Sequence, residues 1–492
     1  MPPHALSKSS FLKFEQCPKA FFFYKNMPFL RDKISTDKEL TFKRGHEVGF
    51  FARQLFPGGV DVAAETDSAE AALRLTSELL ATGQTVVYEA TFMYNQVLIM
   101  VDILCVENGI YTAYEVKSSL RVSDFFMRDA CLQYYVLKQA LPAFNDLFLV
   151  TVNGSYIKKG EVNCRELFRR RSIKERAEEN LQYFDFQVKA ALLVLEQNLV
   201  PNIPVGPQCF RPYQCDFFGN CWKEELTSNS VFNLPLTSKE TQFEWHRSGL
   251  KLIDQVPDEL LQKEALLRIK NASLLNEPFY DLKALARFLG KVNGTVAAMD
   301  MEIWNPAIPE LDGTSPFEQI PFLVAFYDKN KSSHYFAEHS TDQRQNFAEA
   351  LVELAAPYNT LLVYDKNLEL NILRDLQARF PALAKELEAV KKKIVDVFDV
   401  FLKMHYYHPG FRNSFSLKVT SAVLLGDMDY GRITSGLEAM SFYNTFRGTQ
   451  NPIEQEHLRD MLVHYCVTDC RATFLLYDHL SNLHKQKTPS LH

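Results

Sequence analysis

Two carboxylates and a lysine in the first half of the chain have the spacing that phosphodiester chemistry needs. The segment YEVKSS places Glu115 and Lys117 two residues apart, so on a strand both side chains project from the same face. Asp102 precedes them in VDILC. Asp102 and Glu115 would hold Mg²⁺ or Mn²⁺, and Lys117 would position the attacking water or offset charge in the transition state. Glu89 in VVYEATF and His46 in KRGHEVG are candidate additional ligands.

A second pair of carboxylates lies in the other half of the chain. Asp300 and Glu302, in AMDMEIW, would share one face of a strand. Further on, HYCVTDC holds Tyr465 and Asp469 four residues apart, so on a helix the two side chains share a face. These four residues are the candidates for a second site.

Three cysteines follow one another at even intervals in QCFRPYQCDFFGNCW. Cys209, Cys215 and Cys221 are each separated by five residues. Nine cysteines in a chain expected in a reducing compartment indicate metal ligands or buried small residues rather than disulfides. A bound metal and plain burial are the two readings of this group.

The elements that would position these residues follow from hydrophobic patterning. The first half predicts strands at VVYEATF, VLIMVDILCV, IYTAYEVKSS and DLFLVTV, and helices at FFMRDACLQYYVLKQAL and KERAEENLQYFDFQVKAALLVLEQ. The second half predicts strands at GTVAAMDMEIW, IPFLVAFYD and NTLLVYD, and a final helix at HLRDMLVHYCVTDCRATFLLYDHL. We therefore predict an α/β protein with domains at 1–225 and 291–485, joined by a helical connector at 226–290.

The totals are those of a globular protein with more than one core. The chain has 492 residues, 47% of them hydrophobic and 23% charged, with a net charge of −6. Its length predicts two or three domains, and its charge neither requires nor excludes a nucleic-acid partner. The first residues lack the apolar run of a signal peptide, and no apolar stretch reaches eighteen residues. We expect a cytoplasmic protein with no membrane partner.

The order of the first set of motifs resembles that of a nuclease superfamily. His46, Glu89, Asp102 and the ExK strand are similar to the PD-(D/E)xK nucleases, in their RecB-like branch. In that branch a helix carrying Gln and Tyr follows the ExK strand, and CLQYYVL supplies Gln133 and Tyr134 here. The resemblance implies a nuclease fold for residues 1–225.

The same resemblance supplies a fourth cysteine. Some RecB-like nucleases carry a [4Fe–4S] cluster held by one cysteine before the nuclease core and three after it. By this resemblance Cys17, in FEQCPKAFFFY, joins Cys209, Cys215 and Cys221 as the ligands of one cluster. Zinc is the competing metal, since four cysteines suit it as well.

The second set of motifs resembles the RNase H-like 3′–5′ exonucleases of the DEDD type. The resemblance implies that four carboxylates bind two metal ions and that a tyrosine orients the attacking water. Tyr465 takes the role of the tyrosine, and Glu369, in NTLLVYDKNLELNIL, takes the place of the second-motif acid. The four carboxylates implied are those of Asp300, Glu302, Glu369 and Asp469.

The whole chain resembles a bacterial family that fuses an iron–sulfur RecB-like domain to a DEDD-type domain. The resemblance rests on FPGGV, EVKSS, PYQCDFFGNCW and YYHPGFRNSFSLK. We therefore expect a metal-dependent nuclease with two sites, acting on DNA rather than RNA and on single strands or ends. The alternatives are an RNA 3′–5′ exonuclease and a nucleic-acid-binding scaffold with one degenerate site. A cluster that senses redox state is a further possibility.

Overall fold

The computed structural model describes residues 5–197, 199–337 and 341–487. The chain forms two compact units, the first made of Met1–Lys223 and Pro306–Phe317 and the second of Glu224–Asn305 and Glu318–His492. Within the described ranges, no helix has both the length and the apolar character needed to cross a membrane.

A seven-stranded mixed sheet forms the centre of the first unit. Its strands are β1 (Leu6–Ser7), β2 (Val60–Asp61), β3 (Val86–Tyr94), β4 (Val97–Glu107), β5 (Ile110–Lys117), β6 (Phe144–Val152) and β7 (Phe168–Ser172). Six of them run in the order β2-β3-β4-β5-β6-β7, and β1 pairs with β4. β3, β4 and β5 form an antiparallel meander, and β6 lies parallel to β5. The four strands predicted from this half of the sequence are confirmed.

Helices cover this sheet and connect its strands. They are α1 (Lys8–Gln16), α2 (Pro18–Asn26), α3 (Thr36–Ala52), α4 (Val62–Glu65), α5 (Ala69–Ala81), α6 (Asp124–Ala140), α7 (Cys164–Leu167), α8 (Lys174–Glu179), α9 (Leu181–Glu196) and α10 (Phe218–Trp222). α6 makes the crossover between the parallel strands β5 and β6, as that connection requires. The single long helix predicted after β7 was wrong, because the structure breaks it at Asn180 into α8 and α9.

A five-stranded sheet forms the centre of the second unit. Its strands are β9 (Val296–Trp304), β10 (Ile320–Tyr327), β11 (Ser332–Phe336), β12 (Thr360–Val363) and β13 (Ile394–Asp396), and a separate pair is formed by β8 (Phe279–Tyr280) and β14 (Tyr406–Tyr407). The order is β11-β10-β9-β12-β13. β9 is antiparallel to β10 and parallel to β12. The three strands predicted in this half are confirmed.

The helices of the second unit pack on both sheets and on one another. They are α11 (Lys239–Arg247), α12 (Glu264–Leu275), α13 (Leu282–Leu289), α14 (Arg344–Ala355), α15 (Asn367–Arg379), α16 (Ala384–Lys392), α17 (Phe398–Leu402), α18 (Leu417–Leu425), α19 (Gly436–Gly448) and α20 (Pro452–Lys487). α20, the predicted final helix, contacts β9 and β10. It buries Leu462, Cys466 and Cys470, which fixes its orientation against the sheet.

The division of the chain differs from the prediction at residues 226–290. These residues do not form a separate connector, because β8 pairs with β14 and α13 packs on α20. Several of their apolar side chains, among them those of Phe232 and Phe243, are buried. In the opposite direction, residues 306–317 fold with the first unit: the Lys158 N–H donates to the Thr314 carbonyl oxygen at 3.0 Å. Packing of apolar side chains therefore places residues 226–290 in the second unit and residues 306–317 in the first, which the order of the segments in the sequence does not indicate.

Candidate active sites

The first acidic group forms where β4 and β5 run side by side. Ile103 lies opposite Tyr114, and the next step of this antiparallel register brings Asp102 beside Glu115. Asp102 Oδ2 accepts a hydrogen bond from the Val116 N–H at 2.6 Å. Lys117 Nζ donates to Glu115 Oε1 at 2.7 Å. The structure thus brings together the three residues of the predicted Asp and ExK pattern.

Two further charged residues complete this group, and the sequence reading missed both. Lys8, at the start of α1, donates from Nζ to Glu115 Oε1 at 2.8 Å and lies 3.6 Å from Asp129 Oδ1. Asp129, on α6, also pairs with Lys117 at 2.5 Å. Glu115 is buried, and its Oε2 has no hydrogen-bond partner among the described residues. The result is a buried cluster in which both ammonium groups share one oxygen of Glu115.

The charges in this cluster act on the two central carboxyl groups in opposite directions. Burial, reinforced by the neighbouring Glu115, raises the pKa of Asp102 to about 8. Burial would also raise the pKa of Glu115, but Lys117 and Lys8 outweigh it and lower that pKa to about 2. At neutral pH Glu115 is therefore ionised, while Asp102 holds its proton until further positive charge arrives.

Glu89, one of the two predicted additional ligands, lies on the strand next to that of Asp102. Tyr88 pairs with Ile103 and Ala90 with Val101, which puts Glu89 opposite Asp102 on the neighbouring strand. Burial raises the pKa of Glu89, although Arg53 acts against it. Its φ of 52° is in the left-handed region, which is rare for a strand residue and is often found at functional sites.

His46 does not join the acidic group among the described contacts. α3 buries Val48 and Ala52, and a residue two positions before Val48 projects to the opposite side of a helix. His46 is accordingly exposed. On α6, the Gln133 Nε2 group lies 3.5 Å from Asp129 Oδ1, whereas the Tyr134 hydroxyl donates to Glu178 at 2.9 Å. The Gln of that helix faces the cluster and the Tyr does not.

The four predicted cysteine ligands surround one cavity in the first unit. Cys17 separates α1 from α2, and the other three come from the segment that ends in α10. The cavity is lined by Cys17, Cys209, Cys215 and Cys221 together with apolar groups such as Ala20 and Phe217. The sequence places Cys17 nearly two hundred residues from the others; the fold brings them together.

Backbone N–H groups point at two of these sulfur atoms. The Cys17 sulfur accepts hydrogen bonds from the N–H groups of Lys19 and Ala20, which lower its pKa, while burial raises it by more. Burial raises the pKa of Cys215 to about 12, and the Phe217 N–H acts against this rise. N–H donors of this kind stabilise thiolates and are a feature of cysteine metal centres.

A buried aspartate ties the cysteine segment to the start of the chain. Asp216 accepts from Lys38 at 2.6 Å and lies 3.0 Å from Arg31, and Lys13 also pairs with it. Burial would raise the pKa of Asp216, but the cations lower it to about 2. The cavity is thus held closed by ion pairs as well as by packing.

The second acidic group draws on three elements of the second unit. Asp300 and Glu302 lie on the same face of β9, Glu369 lies in the first turn of α15, and Asp469 lies on α20. Three of these residues, all except Asp300, are buried. Donor atoms of Asp300, Glu302 and Cys466 lie within 4.8 Å of one another, close enough to share a metal ion.

These carboxyl groups repel one another through a medium of low polarity. Burial, then Asp469, raises the pKa of both Asp300 and Glu302 well above its ordinary value. Glu369 acts on both in the same direction. Burial also raises the pKa of Glu369 to about 8 and that of Asp469 to about 6. Without a metal ion, the raised pKa values favour the protonated forms of these carboxyl groups. A bound divalent cation would relieve the same repulsion between them.

Two tyrosines and a lysine face Asp469. The Tyr430 hydroxyl donates to Asp469 Oδ1 at 2.8 Å, and Tyr465 also hydrogen-bonds this carboxyl group. Lys418 Nζ lies 4.7 Å from the ring centre of Tyr430 and 4.9 Å from that of Tyr465, in the range of cation–π contacts. Cys466 donates to Asp300 Oδ2 at 3.3 Å, which orients that carboxylate from behind.

Asp396 positions the turn from which Glu369 projects. Its carboxylate accepts from the N–H groups of Asp365 at 3.0 Å and Lys366 at 3.3 Å. Asp365 has a φ of 61°, and this left-handed residue turns the chain from β12 into α15. Asp396 therefore shapes the backbone, and Asp365 contributes to the raised pKa of Glu369.

Lys418 and Tyr430 were missed as site residues because no periodic pattern links them to Tyr465. Lys418 is the last residue of YYHPGFRNSFSLK, a segment already singled out by resemblance, and that was the available signal. Lys8 gave no such signal. Its contact with Glu115 spans 107 residues.

Comparison with known proteins adds a family match over part of the second unit. Residues 297–416 match a family described as "Domain of unknown function (DUF2779)". No curated protein matches the chain. Among solved structures, a family B DNA polymerase from the archaeon Pyrobaculum calidifontis is similar at 16% identity, with a TM-score of 0.22. The match covers 38% of this chain and 24% of the polymerase, so it spans about a quarter of that relative.

Proposed function

We propose that this protein is a metal-dependent nuclease that hydrolyses phosphodiester bonds of DNA, on single strands or from ends, at two active sites. The observation that carries the proposal is the second acidic group. Four carboxyl groups from three elements converge with raised pKa values. Accumulating this much unpaired acid in a core is costly unless cations are bound there. Mg²⁺ and Mn²⁺ prefer carboxylate oxygens as ligands.

At the second site the chain itself would orient the reacting groups. Bound Mg²⁺ or Mn²⁺ would supply a nucleophilic water at neutral pH and neutralise phosphate charge. Asp300, Glu302, Glu369 and Asp469 would hold the ions. Tyr465, already hydrogen-bonded to Asp469, would direct the attacking water, and Lys418 would meet the phosphate charge. Cleavage from a 3′ end is the direction that the resemblance to DEDD-type exonucleases implies.

At the first site, Glu115 is ionised and ready to bind a cation, whereas Asp102 is protonated at neutral pH. Glu115 is ionised and keeps Oε2 without a partner among the described residues, so this oxygen is available to Mg²⁺ or Mn²⁺. Asp102 would release its proton as the ion binds, because positive charge lowers a carboxyl pKa. Lys117 would stabilise charge that develops on the phosphate. Glu89, opposite Asp102, would be an additional ligand.

The cysteine cavity supports a [4Fe–4S] cluster as the resident cofactor. Four cysteines line one apolar cavity, and N–H groups point at the sulfur atoms of Cys17 and Cys215. This donor set fits a cubane cluster, and its role would be to hold the two ends of the first unit together. Zinc is the other metal that four cysteines accept, and metal analysis of anaerobically purified protein separates the two.

The test is cleavage of end-labelled single-stranded DNA and RNA with Mn²⁺ by four variants. Asp102→Asn disables the first site and Asp300→Asn the second; the double variant disables both. Asp375→Asn, on the exposed side of α15, is the matched control. We expect two product patterns on DNA, each removed by one variant, and none in the double variant. Cleavage of RNA alone would make this an RNA exonuclease. Undiminished binding without cleavage by the wild type would make it a scaffold.

A further inference from the structure

Lys8 reaches the first acidic group from an element whose position is fixed at its start. β1 pairs with β4 in parallel, with Ser7 opposite Leu98. Ser7 then caps α1 through a reciprocal pair of hydrogen bonds with Ser10, so the helix begins at a defined residue. Lys8 is the first residue of that helix. Its side chain is 24% exposed, and its ammonium lies 2.8 Å from Glu115 Oε1.

The other end of α1 is fixed as well. Phe11 and Phe14 are buried in the core of the first unit. The helix ends at Cys17, whose N–H donates to the Lys13 carbonyl oxygen at 2.9 Å and whose sulfur lines the cysteine cavity. Because both ends of α1 are fixed, the backbone of Lys8 has a defined position from which its side chain reaches Glu115.

Lys8 and Lys117 both pair with Glu115 and with Asp129. Lys117 already donates to Glu115 Oε1 at 2.7 Å, and Lys8 donates to the same oxygen. Two cations thus crowd one carboxylate oxygen, while Oε2 receives no hydrogen bond from the described residues. Lys8, whose side chain is 24% exposed, lies beside the position proposed for the metal ion, where a substrate phosphate would also lie.

We propose that Lys8 is a second functional ammonium of the first site, one that contacts a phosphate of the bound nucleic acid strand. The proposal rests on the nuclease function proposed above. In the free protein Lys8 holds Glu115 and offsets its charge. When nucleic acid binds, the phosphate oxygens take over as acceptors for Lys8, and Glu115 keeps Lys117. No bond is made or broken in this exchange of ion-pair partners.

This role predicts two effects, of which the second is one that a merely structural ion pair would not produce. Removing the ammonium removes repulsion on an incoming divalent cation, so Mn²⁺ should bind at least about tenfold more tightly in the absence of DNA. Removing a phosphate contact should also lower the salt dependence of DNA binding, by roughly 0.7 in the slope of log K against log salt for a single strand. A structural role predicts an unchanged slope.

The experiment uses the full chain with the second site disabled by Asp300→Asn and Glu302→Gln. Lys8→Met removes both the charge and the hydrogen bond to Glu115. Lys8→Gln removes the charge but keeps a hydrogen-bond donor toward Glu115, so it should still fold if folding requires that hydrogen bond. Lys8→Arg keeps the charge. Lys138→Met, which breaks an exposed ion pair on α6, is the control. Mn²⁺ affinity is measured by electron paramagnetic resonance, and binding of a fluorescent single-stranded DNA is measured over a salt series with Ca²⁺.

We expect Lys8→Gln to bind Mn²⁺ more tightly and to lose slope, Lys8→Arg to match the parent in slope, and Lys138→Met to change neither. Cleavage by Lys8→Gln should fall on the order of 100-fold with Mn²⁺. An unchanged slope, or weaker Mn²⁺ binding by a folded Lys8→Gln protein, would overturn the assignment of Lys8. A parent that binds neither Mn²⁺ nor DNA at this site would instead overturn the proposal of a nuclease site at the first acidic group, and the role of Lys8 with it.

Discussion

Replacing Glu369 with Gln should stabilise the metal-free protein at alkaline pH. The side chain of Glu369 is 2% exposed, and its Oε2 has no hydrogen-bond partner among the described residues. Burial, with smaller contributions from Asp396 and Asp365, raises its pKa from 4.5 to about 8. Glutamine has nearly the same shape and carries no proton to lose. The substitution therefore isolates the cost of ionising this one group.

The size of the effect follows from the two pKa values. The difference between 4.5 and about 8 corresponds to about 5 kcal/mol between the protonated and ionised forms. Because the pKa is raised in the folded state, the stability linked to this proton is complete below pH 4.5 and is lost as the pH rises through about 8. With a chelator present, Glu369→Gln should match the wild type near pH 4.5 and exceed it by up to about 5 kcal/mol at pH 8.5.

The assay must report on the second unit alone, because two units need not unfold together. Urea unfolding followed by hydrogen exchange of peptides from β9 and α15 meets this requirement. Asp375→Asn, an exposed carboxylate on the same helix, should shift the free energy of unfolding by less than about 0.5 kcal/mol at either pH. This control separates the effect of a buried charge from a general effect of removing acid from α15.

Mn²⁺ should narrow the difference in stability between the two proteins at pH 8.5. At a concentration 100 times its dissociation constant, a ligand bound only by the folded state adds about 2.7 kcal/mol. The wild type should gain this stabilisation, and Glu369→Gln should gain less because it has lost a ligand. A variant that is less stable than the wild type at pH 8.5 with chelator would refute the reasoning, since the carboxylate would then be a stabilising structural group.

Three further substitutions test other parts of the molecule. Asp216→Asn leaves three cations without their shared buried carboxylate and should lower the free energy of unfolding of the first unit by about 3–5 kcal/mol. Urea unfolding followed through hydrogen exchange of α6 peptides measures this loss, and a loss below about 1 kcal/mol would contradict the prediction. Cys215→Ser should reduce iron from about four atoms per chain to below one, read by metal analysis, whereas zinc in the wild type would contradict the cluster. Tyr465→Phe should slow cleavage at the second site by about 10²-fold with Mn²⁺ affinity unchanged; equal losses of both would assign the tyrosine to ion binding.

The regular elements around both sites could be predicted because their patterns are local. Mostly apolar runs predicted β3, β4, β5 and β9. β11 (SSHYF) escaped prediction, because an edge strand of mostly polar residues has no apolar run to reveal it. The extent of the second unit was missed for a similar reason. Helices such as α13 belong to the second unit because they contact α20. Since α20 lies far along the chain, local sequence patterns do not reveal these contacts.

The same distinction separates the site residues that were predicted from those that were not. Asp300 and Glu302 share a strand face, and Tyr465 and Asp469 share a helix face, by periodicity alone. Lys8, Lys418 and Tyr430 reach their sites only through tertiary packing. The left-handed backbone at Glu89 and the exposure of His46 are also tertiary outcomes. Sequence order identifies which carboxylates gather, but not which cations accompany them.

The cations that accompany each acidic group make the two metal-free sites different. In the first, Lys117 and Lys8 keep Glu115 ionised, and Asp102 keeps a proton. In the second, Lys418 lowers the pKa of Glu302 and Asp469 but does not outweigh burial and mutual repulsion. A divalent ion must therefore displace mainly protons at the second site, and must bind against two ammonium groups at the first. Affinity at the second site should consequently rise steeply with pH between about 6 and 8, the range in which Asp469 and Glu369 ionise.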